Sequence, residues 1–167
     1  MIDIKAQLPE FVLTLMDKVE QAGYEIYVVG GAVRDLLTGN IIDDWDFTTS
    51  APPEEILKLF PQGFYDNQFG TVGISDSSFP HPYEITTFRK EFGYSDARRP
   101  DKVEWGKTLA EDLARRDFTI NALALAKDGK LTDLFNGQTD LKNRLIKAVG
   151  DPNIRFSEDA LRMNPID

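Results

Sequence analysis

"GGAVRDLLTGNIIDDWDFTTS", residues 30–50, holds two patterns whose combination decides the fold of this chain. Its second half, "DWDFTT" (44–49), alternates like a strand, with Asp44, Asp46 and Thr48 on one face and Trp45 and Phe47 on the other. Two carboxylates on one face raise each other's pKa unless a cation sits beside them. Mg2+ is such a cation, because it prefers one or two carboxylates together with substrate phosphate oxygens. A pair of solvated aspartates at a strand end is the plainer alternative, and Asp43 is assigned to it. The first half opens with "GGAVRD" (30–35), two glycines between the apolar run "YEIYVV" (24–29) and a short helix closed by Gly39. Backbone N–H groups at Gly30 and Gly31 can approach a phosphate closely at the positive end of that helix. Arg34 can add a bidentate contact to the same oxygens. The motif is neither a Walker A loop nor G-x-G-x-x-G, and alone it could be a tight strand–helix turn. A phosphate cradle followed ten residues after Arg34 by a carboxylate pair reads as a site for a nucleotide and a metal.

Outward from this stretch, residues 8–22 carry apolar residues at helical spacing and stop at Gly23. Pro52 and Pro53 open a helix to about Phe60. Residues 63–89 read as three antiparallel strands, "GFYD", "GTVGIS" and "YEITTFR", with the loop "DSSFPHP" between the last two. Residues 91–101, "EFGYSDARRPD", have no periodic pattern and read as a mobile loop. Thr108 and Glu111 form a capping box for a helix to Arg115, and a second helix is expected from Asp117, with Asp117 as its N-cap. "ALALAKDGKLTDLF" is a hairpin turning at Asp128-Gly129. A short helix at "TDLKNR", a strand at "LIKAVG" and a last helix at "EDALRM", broken by Pro165, complete the chain. Strands interleaved with helices, some joined by hairpins, predict an α/β fold with a mixed sheet.

The 167 residues are 41% hydrophobic and 28% charged, enough for one globular domain without staples. With no cysteine, a disulfide framework, a thiolate metal site and a cysteine nucleophile are all excluded. No apolar run approaches a membrane span, and "MIDIKAQLPEF" is not a signal peptide, so a cytoplasmic setting is expected. A net charge of −9 argues against a generally sticky nucleic-acid binder, although Arg98-Arg99, Arg115-Arg116 and Lys142, Arg144 and Lys147 form local basic groups.

"GGAVRDLLTG" followed by "DDWDFTTSAPPEEI" resembles the head of the class II tRNA nucleotidyltransferase and bacterial poly(A) polymerase family. The resemblance continues in order through "EITTFR" (84–89), "YSDARRP" (94–100), "EDLARRDFTINALA" (111–124), "DLFNGQTDL" (133–141), "AVGDP" (148–152) and "RFSEDALRM" (155–163). It implies a polymerase-β-like nucleotidyltransferase fold with a mixed, largely antiparallel sheet flanked by helices. It further implies Mg2+ and a nucleoside triphosphate as ligands, ATP and CTP being the expected substrates and the 3′ end of tRNA the acceptor. On this resemblance Gly30, Gly31, Arg34 and Arg116 contact the triphosphate, Asp44 and Asp46 hold the metals, and Asp117 and Asn121 shape the ribose site. Glu84 falls on a neighbouring strand, where related folds keep a third catalytic carboxylate; a hairpin glutamate facing solvent is the alternative. Asp159 and Arg162, at helical i, i+3, could be a surface ion pair, but the resemblance makes them the readers of the incoming base. Cytosine and adenine both present an amino donor beside a ring-nitrogen acceptor, which an aspartate and an arginine can complement together. Uracil and guanine present the reverse pattern.

"DNQFGTVGI" (66–74) is similar to tRNA-type members and lacks the basic stretch of bacterial poly(A) polymerases. Family members are longer and continue beyond the base-reading arginine into helical domains that hold tRNA, whereas Pro165 stands in that helix here. Residues 1–150 are therefore expected to be the catalytic head, and 151–167 the truncated start of a neck region. The expected reaction is template-independent addition of C and A to tRNA 3′ ends with release of pyrophosphate. A poly(A) or A-adding enzyme shares every catalytic residue. The alternatives of another class are a nucleotide-binding fragment without turnover and a phosphatase using Asp44 in D-x-D-x-T. His81 reads as inert, and Trp45, Trp105 and the phenylalanines as core.

Overall fold

The structure, a computed structural model, describes residues 7–65, 70–77, 81–92 and 102–154. Helix α1 (Glu10–Gln21) turns Val12, Leu15, Met16 and Val19 inward, and Gly23, at φ +89°, ends it. Strand β1 (Ile26–Val29) leads through Gly30 into α2 (Gly31–Thr38), which Gly39 closes in the left-handed conformation. β2 (Asp46–Thr49), α3 (Pro53–Leu59), β3 (Phe64–Tyr65), β4 (Thr71–Ile74) and β5 (Tyr83–Thr87) follow. β6 (Arg89–Phe92) and β7 (Lys102–Trp105) come next, then α4 (Leu109–Ala114), a 3-10 turn at Thr119–Asn121, β8 (Leu123–Leu125), β9 (Leu131–Asp133) and α5 (Gly137–Lys142).

Seven strands form one sheet in the order β3-β4-β5-β2-β1-β8-β9, antiparallel throughout except for the parallel pair β2–β5. This is the mixed, largely antiparallel α/β sheet expected from the sequence. One face packs Val28, Phe47, Val72, Ile74 and Ile85 with Val12, Met16, Val33, Leu36 and Ile56 of the first three helices. Trp45 joins that core. The other face is covered by α4, whose Leu113 packs on Val29 and Ala124. That face also carries Asp46 and Thr48 of β2, Glu84 and Thr86 of β5, and Thr71 and Gly73 of β4. Period-two alternation thus places Asp46 opposite the main core, whereas Asp44, expected on the same strand face, lies in the irregular segment before β2.

Several further expectations change. Residues 89–92 and 102–105 pair as a two-stranded antiparallel ribbon, so positions 91 and 92, expected in the loop, are strand; residues 93–101 lie outside the described residues. Asp117 does not cap a helix, because only a 3-10 turn follows and Phe118 precedes it; its Oδ1 instead accepts from the adjacent Phe118 N–H at 2.6 Å. "LIKAVG" is not a strand: an isolated antiparallel bridge, Ala148 to Phe118, ties it to the segment before the 3-10 turn, and Leu145 and Ile146 are about half exposed. Trp105 and Phe64 are 45% and 44% exposed rather than core, the indole of Trp105 lying against Gly70.

Candidate active site

Gly30 makes the turn from β1 into α2 at φ +70°, ψ −139°, a conformation open essentially to glycine alone. A Cβ there would lie 3.4 Å from Arg116 Nη1 and 3.7 Å from Asp46 Oδ2, so the glycine, the guanidinium and the carboxylate meet at one point. Arg34 leans back over Gly31, its Nη2 lying 3.5 Å from where a Cβ of that glycine would be.

Two hydrogen-bonded chains hold these arginines. Arg34 forks onto Asp35, with Nε donating to Oδ1 at 3.1 Å and Nη2 to Oδ2 at 3.2 Å, while Nη1 donates to Asn121 Oδ1 at 3.2 Å. Asn121 Nδ2 in turn donates to Asp117 Oδ1 at 3.4 Å. Among the described residues, these bonds occupy three of the five N–H donors of the guanidinium. Arg116 Nη2 donates to Asp112 Oδ2 at 3.2 Å, and its Nε is buried without a partner among the described residues. Asp112 is fully buried and also accepts from Arg115 Nε at 3.0 Å and from the Arg89 backbone N–H at 3.4 Å. Burial alone would raise its pKa, but the charges of Arg115 and Arg116 outweigh that and hold the carboxyl below its ordinary value.

Asp46 begins β2, directly opposite Glu84 on β5. Burial raises its pKa most; Arg116 pulls it down and Asp44 pushes it up further. Asp44 lies in the irregular segment before β2 and is exposed. Asp44, Asp46 and Glu84 line one cleft of about 310 Å3 with His81 and Pro82. Among the described residues no three acidic or histidine side chains converge closely enough to cage a metal ion by themselves. The donor set, a half-buried carboxylate and an exposed neighbour that repels it, suits a hard cation completed by oxygens from a bound phosphate.

The fold therefore brings together Gly30, Gly31, Arg34, Arg116, Asp117 and Asn121 on one side of Asp46, and Asp44 and Glu84 on the other. Asp159 and Arg162 lie outside the described residues. The phosphatase alternative needs Asp44 at the end of an apolar strand, but residues 40–45 form none. Sequence reasoning passed over two residues. Asp112 stands at i, i+3 and i, i+4 from Arg115 and Arg116, a helical spacing that could have revealed it. His81, read as inert, lines the cleft because its loop returns beside the start of β2, which no local pattern signals.

The sequence family of the poly(A) polymerase head domain matches residues 26–147. A CCA-adding enzyme of Leuconostoc citreum is 54% identical over 150 residues, covering 89% of this chain and 37% of the relative. One from Limosilactobacillus reuteri is 55% identical over 150 residues, again 89% of this chain and 37% of the relative. Among solved structures, the Bacillus stearothermophilus CCA-adding enzyme in complex with CTP superposes with a TM-score of 0.81 at 38% identity, covering 98% of this chain and 38% of that one. A tRNA nucleotidyltransferase complexed with a primer tRNA and an incoming ATP analog gives 0.71 at 31% identity, covering 89% of this chain and 42% of that one. The chain spans under two fifths of the length of these curated relatives.

Proposed function

This chain belongs to the poly(A) polymerase head-domain family, and from that premise we propose that it is the catalytic head of a tRNA nucleotidyltransferase of the CCA-adding kind. The observation that carries the reading is the meeting of Gly30, Arg116 and Asp46 at one point, with Arg34 beside them and Asp44 across the cleft. Residues 1–150 form the head in this reading, and 151–167 begin the region that follows. ATP and CTP are the nucleotides, the 3′ end of tRNA is the acceptor, and the setting is cytoplasmic.

In this reading the triphosphate lies against the Gly30-Gly31 turn. Arg34 has two N–H donors free of described partners for its oxygens, and Asp35 and Asn121 fix the guanidinium plane. Arg116, held from behind by Asp112, aims Nη1 at the same region. Asp117 and Asn121 face the sugar. Asp44 and Asp46 would hold Mg2+, which when bound supplies neutralisation of charge on the reacting phosphate and the leaving group. Glu84, opposite Asp46, adds negative potential that strengthens that hold. The acceptor 3′-hydroxyl gives up its proton to solvent as its oxygen bonds to the α-phosphorus, the bond from that phosphorus to the bridging oxygen of the β-phosphate breaks, and pyrophosphate leaves. The rate comes from positioning and fixed charge. Asp159 and Arg162 read the incoming base in this account.

The test is incorporation of labelled CTP and ATP, with UTP and GTP as controls, into a tRNA transcript lacking its terminal CCA, in the presence of Mg2+. Addition of C and then A supports the reading. Long A tracts would move it to poly(A) polymerase, and nucleotide binding without incorporation would leave a binding head.

A further inference from the structure

The sheet face that carries Asp46 continues away from the phosphate cradle. Asp46 stands opposite Glu84, Glu84 opposite Gly73, and Gly73 opposite Phe64. Directly opposed residues share a face, so these four form one row across β2, β5, β4 and β3. Gly73 leaves a gap in the row that the Phe64 ring fills: a Cβ on Gly73 would lie 2.4 Å from Phe64 Cζ and 2.8 Å from Cε2. The ring nevertheless stays 44% exposed. A single exposed phenylalanine is unremarkable by itself; its place in the row of the carboxylates, bedded on a glycine, is what needs an account.

In-line displacement sets the attacking oxygen and the leaving pyrophosphate on opposite sides of the α-phosphate. Gly30, Gly31, Arg34 and Arg116 all belong to the β1 side of Asp46, so pyrophosphate leaves toward them. The attacking hydroxyl must then arrive over β5 and β4, the flank of the cleft lined by His81, Pro82 and Glu84. Strands lie about 4.8 Å apart, so a ring leaning back over Gly73 stands about 10 Å from Asp46, a gap that one nucleotide bridges. The flank is acidic, with Asp44, Asp46 and Glu84, and it disfavours recognition through the RNA phosphates. An apolar ring recognises a base without that cost.

We propose that Phe64, bedded on Gly73, is the stacking platform for the 3′-terminal base of the acceptor RNA. The inference rests on the nucleotidyltransferase reading above. Stacking on an aromatic ring tolerates any base, because every base has a π-face. That suits an acceptor whose terminal base changes with each addition.

The test uses a short single-stranded RNA ending in 2-aminopurine, titrated with the chain while the fluorescence is followed, alongside calorimetric titration of CTP. Wild type should quench the terminal base. F64A should weaken RNA binding about 5- to 100-fold and abolish the quenching. F64W should restore both, and G73A, which drives the ring off its bed, should behave like F64A. An RNA with an abasic 3′-terminal nucleotide should bind wild type and F64A equally, and CTP affinity should be the same in all four proteins. Wild-type binding of CTP and RNA with F64A indistinguishable, or an equal loss with the abasic RNA, overturns this inference alone. CTP binding without RNA binding by wild type overturns it as well. A wild type that binds neither overturns the nucleotidyltransferase reading and this inference with it.

Discussion

Replacing Asp112 with alanine should destabilise the fold by about 3–5 kcal/mol, the usual cost of removing one member of a buried ion pair. The side chain is fully buried, and the two arginine side chains it pairs are only 15% and 16% exposed. Without the carboxylate, Arg115 and Arg116 lose the charge they share, although Asp46 still attracts Arg116, and the Arg89 N–H loses this acceptor. D112N keeps the shape and one acceptor oxygen but not the charge, so it should cost less, about 1.5–3 kcal/mol. Against a total stability of about 5–15 kcal/mol, either change is large. Urea unfolding reads both as a fall in midpoint at constant slope. The D112A/R116A double variant should lose less than the sum of the singles, because the second change removes one of the two charges that lost this carboxylate. A D112A cost below about 1 kcal/mol, or strict additivity, would refute the claim that this carboxylate holds Arg116 in place.

The same residue sets an acid limit. Its folded-state pKa lies below the unfolded value, so its stabilisation is complete above the ordinary aspartate range and is lost as pH falls through the folded value. The advantage of wild type over D112N should hold at neutral pH and shrink only below about pH 4, as read by urea midpoints across pH. G30A should cost about 1–3 kcal/mol through its backbone conformation. Its methyl, set beside Arg116 and Asp46, should also weaken CTP binding at least about tenfold, measured by calorimetry. G137A should destabilise by about 1–3 kcal/mol, because its Cβ would sit 2.2 Å from the Thr119 carbonyl oxygen and push α5 off the 3-10 turn. Thermal unfolding reads that loss, and an unchanged midpoint would refute it.

Much of the site was legible because its signals are local. The glycine pair between strand and helix, the Thr108–Glu111 capping box and the turn at Gly129 each depend on residues a few positions apart, and each appears as expected. The pairing of β2 with β5 was not legible, since parallel neighbours 38 positions apart leave no periodic trace; only resemblance suggested that Glu84 belongs near Asp46. The ribbon of β6 and β7 escaped because a polar, aperiodic segment separates its halves. Asp117 misled for a physical reason. The chain after it binds residues 147–149 through Thr119 N–H to Lys147 O and Val149 N–H to Asp117 O, and this holds the backbone out of a longer helix. Phe64 and Trp105 were assigned to the core by composition, but each lies on a glycine, where the missing side chain lets a ring rest on the backbone at the surface.

Three adjacent aspartate variants test the central claim most directly, in single-turnover incorporation of CTP into a tRNA lacking its CCA end. Asp43 is exposed, outside the cleft lining and assigned no role, whereas Asp44 and Asp46 face the cleft. D43N should incorporate at the wild-type rate, and D44N and D46N should each fall by more than about 100-fold with CTP still bound. No incorporation by wild type, or equal rates for D43N and D46N, would contradict the account.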